Sequence, residues 1–146
     1  MRAPTASTEL TLFYDASCAF CLKEMQQLAR WDKALKLAFI DISTTSFDPA
    51  VLGVSLAEMD AALHAQTRNG RMLVGLDAIR AAYQTANKAW LVAPLSVKFL
   101  LPGLNFLYRK FARHRYQIST FLGLRVEPVC RDGRCELKQP YFKQKP

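Results

Sequence analysis

Two cysteines separated by two residues, set where a short apolar run gives way to a helical pattern, constrain this 146-residue chain more than any other feature. The stretch LFYDASCAFCLKEM, residues 12–25, interrupts a run of β-formers with Asp15 and brings Cys18 and Cys21 to the place where a helix should begin. Residues 9–14 (ELTLFY) have the length and composition of a buried strand. Residues 19–31 contain no Gly or Pro, and Cys21, Met25, Leu28 and Trp31 recur at helical spacing. Ser17 and Asp15 are the candidate N-caps. Residues 36–42 (KLAFIDI) are apolar nearly throughout, as expected of a second, central strand joined to the first by a right-handed βαβ crossover.

Residues 43–54 read as a loop. Ser55-Leu-Ala-Glu58 has the form of a capping box opening a short helix. Residues 62–67 and 71–74 flank Asn69-Gly70, which predicts two antiparallel strands joined by a type I′ turn. Asp77 is the expected cap of a helix over 78–85, with Ile79, Ala82 and Tyr83 facing inward. The order β-α-β-α-β-β-α is that of an α/β, thioredoxin-like domain, with the cysteine pair at the start of its first long helix.

Charge divides the chain. Residues 1–88 carry nine Lys/Arg and nine Asp/Glu, so the whole net charge of +8 lies in residues 89–146. The expected organisation is a thioredoxin-like core over 9–88 and a helical, basic extension over 89–146 packed on the same domain. In the extension, Pro94, Lys98, Pro102-Gly103 and Asn105 interrupt an apolar run that would otherwise approach the length of a membrane span. Two short helices broken at 101–103 fit better. The second carries Arg109, Lys110, Arg113, His114 and Arg115 among Phe106, Leu107, Phe111 and Tyr116. A solvated basic face, packed through its aromatics, is the expectation. Weak peripheral membrane contact is the next partner reading and nucleic acid is not expected, because no nucleic-acid motif accompanies the charges. The first ten residues lack an apolar signal core, so a cytoplasmic location is expected.

Four cysteines in two close pairs, Cys18/Cys21 and Cys130/Cys135, read as local chemistry rather than as a disulfide scaffold. The first turn of a helix favours a thiolate through its free N–H groups and dipole. Cys18, at the exposed N-terminal position, is the expected attacking thiol and Cys21 the resolving one. Asp15 has two open roles, hydrogen bonding at the strand-to-helix turn or proton exchange with the cysteines. A nearby carboxylate raises a thiol pKa and so opposes the helix. The rival chemistry is zinc or an iron–sulfur cluster on Cys18, Cys21, Cys130 and Cys135. Cys130 and Cys135 are otherwise expected to be a reduced, inert pair across the Asp132-Gly133 turn. No cofactor is expected for the exchange reading.

YDASCAFC resembles the Asp-x-x-Cys-x-x-Cys signature of the DCC family of thiol-disulfide oxidoreductases, small bacterial thioredoxin-like proteins. ALHAQTRNGRMLVGLDAI is similar to that family's Met-His strand, Asp/Asn-Gly turn and following helix start. LLPGLNFLYRKFARHRYQIS is similar to its Leu-Pro-Gly…Tyr…Ala-x-x-Arg-Tyr segment. The resemblance runs from Leu10 to Ser119. It implies a redox pair at Cys18 and Cys21, Asp15 as the third signature residue, and a protein or small-molecule thiol or disulfide as substrate. His64 matches the family's histidine beside the hairpin, although a strand histidine satisfied by backbone is the commoner situation. Ala16 stands where many members have Gly, Leu63 replaces the Met, and no proline precedes Ala62 to bind a peptide substrate as in a thioredoxin.

Overall fold

A computed structural model describes residues 3–123 and the backbone of residues 128–131 and 134–137. Strand β1 (Leu10–Tyr14) is buried along its whole length because it lies inside the sheet with both faces covered. Side chains alternate across a strand, so Leu10, Leu12 and Tyr14 enter one core cluster and Phe13 enters another. Helix α1 (Ala19–Trp31) follows over the span its periodicity predicts and contributes Leu22, Met25 and Leu28 to the first cluster. Strand β2 (Leu37–Asp41) pairs parallel with β1, from Leu10 opposite Leu37 to Tyr14 opposite Asp41. The α1–β2 connection is pinned by Asp32, whose buried carboxylate accepts the Lys36 and Leu37 N–H groups at 3.0 and 2.8 Å.

Helix α2 (Leu56–Ala61) starts at the expected capping box, with Ser55 and Glu58 bonded reciprocally. Its Met59 joins Phe13 and Ile42 on the second face of the sheet. Strands β3 (His64–Thr67) and β4 (Met72–Val74) complete a four-stranded mixed sheet of order β2-β1-β3-β4, so β2 is an edge strand and not the central one expected. Its apolar run reflects cover on both faces, with Leu37 and Phe39 in the first cluster and Ile40 against the second. Their turn differs from the type I′ expectation. Within the turn Gly70 alone has positive φ, at 80°, and the Thr67 N–H donates to the Arg71 carbonyl, so the loop is a three-residue turn closed by a glycine bulge.

Helix α3 (Leu76–Thr85) begins two residues before the expected start, and Gly75 rather than Asp77 is its N-cap. Gly75 has φ 62°, and a Cβ there would stand 3.3 Å from the Tyr108 ring, so both backbone and packing favour glycine. Asp77 sits in the first turn, where its charge suits the helix dipole. A 3-10 segment (Ala89–Ser96) leads into helix α4 (Leu101–Phe121). The break expected at 101–103 lies earlier, at 97–100, because Pro102 occupies the first turn of α4 and starts that helix instead of ending another. Helix α4 packs against α1 and α2. Beyond it, β5 (Pro128–Arg131) and β6 (Arg134–Leu137) pair antiparallel with Cys130 opposite Cys135. The expected turn at Asp132-Gly133 lies outside the described residues. The architecture is α/β, with the element order of a thioredoxin-like fold.

Candidate active site

Cys18 is itself the N-cap of α1, in place of the expected Ser17 or Asp15. Its Sγ turns back along the helix to accept the Cys21 N–H at 3.4 Å. The Cys21 Sγ lies 2.8 Å from Cys18 Sγ and donates its proton to it. That proton, more than any other influence, lowers the Cys18 pKa from 9.0 to about 7; burial opposes the shift, and the Cys21 N–H and the Arg115 charge assist it. The same contact pushes the Cys21 thiol well above its ordinary value, with burial adding to it. One sulfur of the pair is therefore poised to carry charge and the other to hold the proton.

Exposure runs against the expectation for the N-terminal cysteine. Cys18 is 0% exposed and Cys21 is half-buried. The capping orientation tucks the Cys18 sulfur under the first turn, and the turn that carries it is roofed by α4.

Asp15 forms the joint between that turn and α4. Its Oδ1 accepts the Ser17 N–H at 2.8 Å and the Ser17 hydroxyl at 2.5 Å. Its Oδ2 meets Arg115 Nη2 at 3.4 Å and accepts the Tyr116 hydroxyl. Arg115 also donates to the Asp60 carboxylate and to the Asp60 carbonyl. Burial works against the Arg115 charge, but Tyr116 and the neighbouring negative groups hold its pKa above the usual value. Asp41, at the end of β2, accepts the Ala16 N–H at 3.1 Å and fixes the other side of the same turn.

Arg115 corrects the sequence reading of α4. It belongs not to a solvated basic face but to the buried one, at 7% exposure. Tyr108, Phe111, Arg115 and Ser119 recur every three or four residues along this inward stripe. The Tyr108 hydroxyl accepts the Leu63 N–H at 2.8 Å, and Phe111 meets Phe20 edge-to-face at 4.9 Å. Phe106 and Leu107, expected to pack, are each 62% exposed. The signal for the missed residues was present twice. An arginine on an apolar helical stripe is a candidate for burial with a partner, and Tyr108, Arg115 and Tyr116 all belong to the segment that carried the family resemblance.

His64 is buried in β3, and its Nδ1 lies 2.9 Å from the Ala62 carbonyl, the backbone-satisfied arrangement. It is not among the residues lining the cavity beside Cys21. The side chains of Cys130 and Cys135 lie outside the described residues, so the four-cysteine metal set does too. Among the described residues no three His, Cys, Asp or Glu side chains group as metal ligands.

The model of the DCC1-like thiol-disulfide oxidoreductase family matches residues 12–121, from β1 to the end of α4. The chain belongs to the DCC1-like family. The match takes in the cysteine pair, Asp15 and the α4 residues that cover them, so the resemblance read from YDASCAFC and its companion segments holds. Family membership and the close Cys18/Cys21 contact together support a thiol-disulfide oxidoreductase role. A chloroplastic protein of Arabidopsis thaliana, itself uncharacterized, is 23% identical over 113 residues, covering 76% of this chain and 53% of that protein. The chain therefore spans about half the length of this curated relative. No solved structure matches the chain.

Proposed function

We propose that the protein is a thiol-disulfide oxidoreductase that cycles Cys18 and Cys21 between dithiol and disulfide. The observation that carries this reading is the 2.8 Å contact between the two sulfurs with their opposed pKa shifts. Cys18, with its pKa near 7, supplies the thiolate that resolves a mixed disulfide and is the better leaving group when the disulfide is opened, the reverse of the roles expected from the sequence. Because Cys18 is buried and Cys21 is not, the substrate sulfur meets Cys21. To reduce a substrate disulfide, Cys21 Sγ attacks it as its proton passes to the Cys18 thiolate and the first substrate thiolate leaves. Cys18, giving that proton to the leaving thiolate, then attacks Cys21 Sγ and expels the second. In the oxidising direction an incoming thiol attacks Cys21 Sγ and Cys18 departs. Asp15 holds the turn through Ser17, Arg115 and Tyr116, and through its charge it raises the Cys18 pKa slightly.

Titration in defined thiol-disulfide buffers, with alkylation and mass spectrometry reporting each cysteine, tests the reading. A reversible Cys18–Cys21 disulfide with a potential of roughly −120 to −270 mV is the expected result. Failure of that disulfide to form, or metal bound in stoichiometric amount with the thiols protected, overturns it.

The surface of α4 favours a second partner. Phe99 is 91% exposed and Trp90 71%, and Phe106 stands on the outward face of α4 with Lys110 and Arg113. Residues 89–123 contain no acidic side chain. Exposed aromatics beside unopposed positive charge suit peripheral contact with an anionic bilayer. No single described helix is long and apolar enough to cross a membrane. Co-sedimentation with phosphatidylserine vesicles at low salt, lost at high salt and in Phe99→Ser, is the expected result; equal recovery with neutral vesicles or none with either removes the contact.

A further inference from the structure

A cavity of about 420 Å³ lies beside the cysteine pair. Cys21 forms part of its wall and Cys18 does not. The rest of the wall is mainly apolar, with Met25, Leu63, Ile79, Tyr108 and Phe111 among it. Of its polar groups, Glu24 accepts the Tyr83 hydroxyl, and Asp15 is bonded to Arg115. The buried Arg115 Nε–H has no acceptor among the described residues. This volume and lining are those of a small-molecule site.

A peptide would need backbone to pair with, and this edge of the site offers little. The Leu63 N–H is taken by the Tyr108 hydroxyl, and the Leu63 carbonyl accepts the Gly75 N–H at 2.8 Å. Strand β3 is flanked on both sides, by β1 and β4. Main-chain recognition of an extended substrate therefore has no free ladder here.

We propose that this cavity binds a small, predominantly apolar organic thiol and its disulfide, and that the molecule's sulfur exchanges with Cys21. The proposal rests on the exchange reading above. In the oxidised protein the bound thiol, losing its proton, attacks Cys21 Sγ. The Cys18–Cys21 bond breaks, its electron pair goes to Cys18, and the organic group is left in mixed disulfide with Cys21. A second thiol attacks the organic sulfur, forms the organic disulfide and expels Cys21. The two protons lost by the thiols end on Cys18 and Cys21, and two electrons have entered the protein. The same steps reversed reduce the organic disulfide.

The test uses the full chain, oxidised, and follows reduction of its disulfide by benzyl mercaptan and by 2-mercaptoethanol, two alkanethiols of similar acidity. Benzyl mercaptan is expected to react faster by on the order of tenfold, with a rate that saturates as its concentration rises. Ile79→Trp, which fills the cavity, should abolish both the saturation and the preference; Ile79→Phe serves if the larger residue disturbs folding. Equal, unsaturated rates in the native protein overturn the cavity proposal while leaving the exchange reading intact, since dithiothreitol still reduces the disulfide. Absence of any Cys18–Cys21 disulfide in the starting protein overturns both.

Discussion

Arg115 of α4 reaches Asp15 at the end of β1, a hundred positions earlier in the chain, and both side chains are more than nine-tenths buried. The pair ties the turn that carries the cysteines to the helix that covers it. Asp60 and Tyr116 complete the joint. The site is thus closed by a segment far from the cysteines in sequence.

Arg115→Met tests that joint. Removing the cation leaves the Asp15 carboxylate buried with only its Ser17 and Tyr116 donors. A loss of about 3 kcal/mol in urea unfolding is expected. At a pH where Cys18 is fully thiolate in both proteins, so that loss of the Arg115 charge no longer slows the reaction, faster alkylation of Cys18 should accompany it, because the roof over the turn is loosened.

The Cys18 thiolate depends chiefly on the Cys21 proton. Alkylation of the reduced protein is expected to rise with pH through a midpoint near 7. In Cys21→Ala the largest influence lowering the Cys18 pKa is gone while burial still raises it, so the midpoint moves upward. Absorbance of the thiolate in the far ultraviolet reads the same shift without alkylation. A midpoint unmoved by the substitution would place the source of the shift elsewhere.

Tyr108→Phe keeps the ring against Gly75 and removes the acceptor of the Leu63 N–H. A cost of about 1 kcal/mol in chemical denaturation is expected for a half-buried N–H left without its protein partner. Hydrogen exchange at Leu63 should quicken in the same variant.

Leu28→Ala probes the platform under the site. Leu28 is 0% exposed in the cluster formed by α1, α3 and the sheet. A loss of about 2 to 5 kcal/mol is expected from the deleted methyls and the cavity left behind. The Cys18 midpoint should stay near its original value, because none of the groups that set it is touched.

Local pattern made much of this protein legible. Strand β1, helix α1 over Ala19–Trp31, the Ser55–Glu58 capping box and the order of elements along the chain all follow from periodicity and turn chemistry between near neighbours, whereas the place of β2 at the sheet edge does not. Where two local signals competed, the reading slipped. Asn69-Gly70 marks a hairpin but not its turn type, which the Thr67–Arg71 pairing sets. Pro102 reads equally as the end of one helix or the start of another, and the break at 97–100 decides it.

The sequence by itself determined that two cysteines would stand at the head of a helix in a βαβ unit, and it marked Asp15 as their neighbour. Only the tertiary structure decided that Cys18 is the buried sulfur and Cys21 the one facing a cavity. It alone took Arg115 from a run of surface charges and set it against Asp15. The reason is range: strand and helix signals arise from residues a few positions apart, whereas burial of a thiol and pairing of a charge depend on which distant helix comes to lie over them.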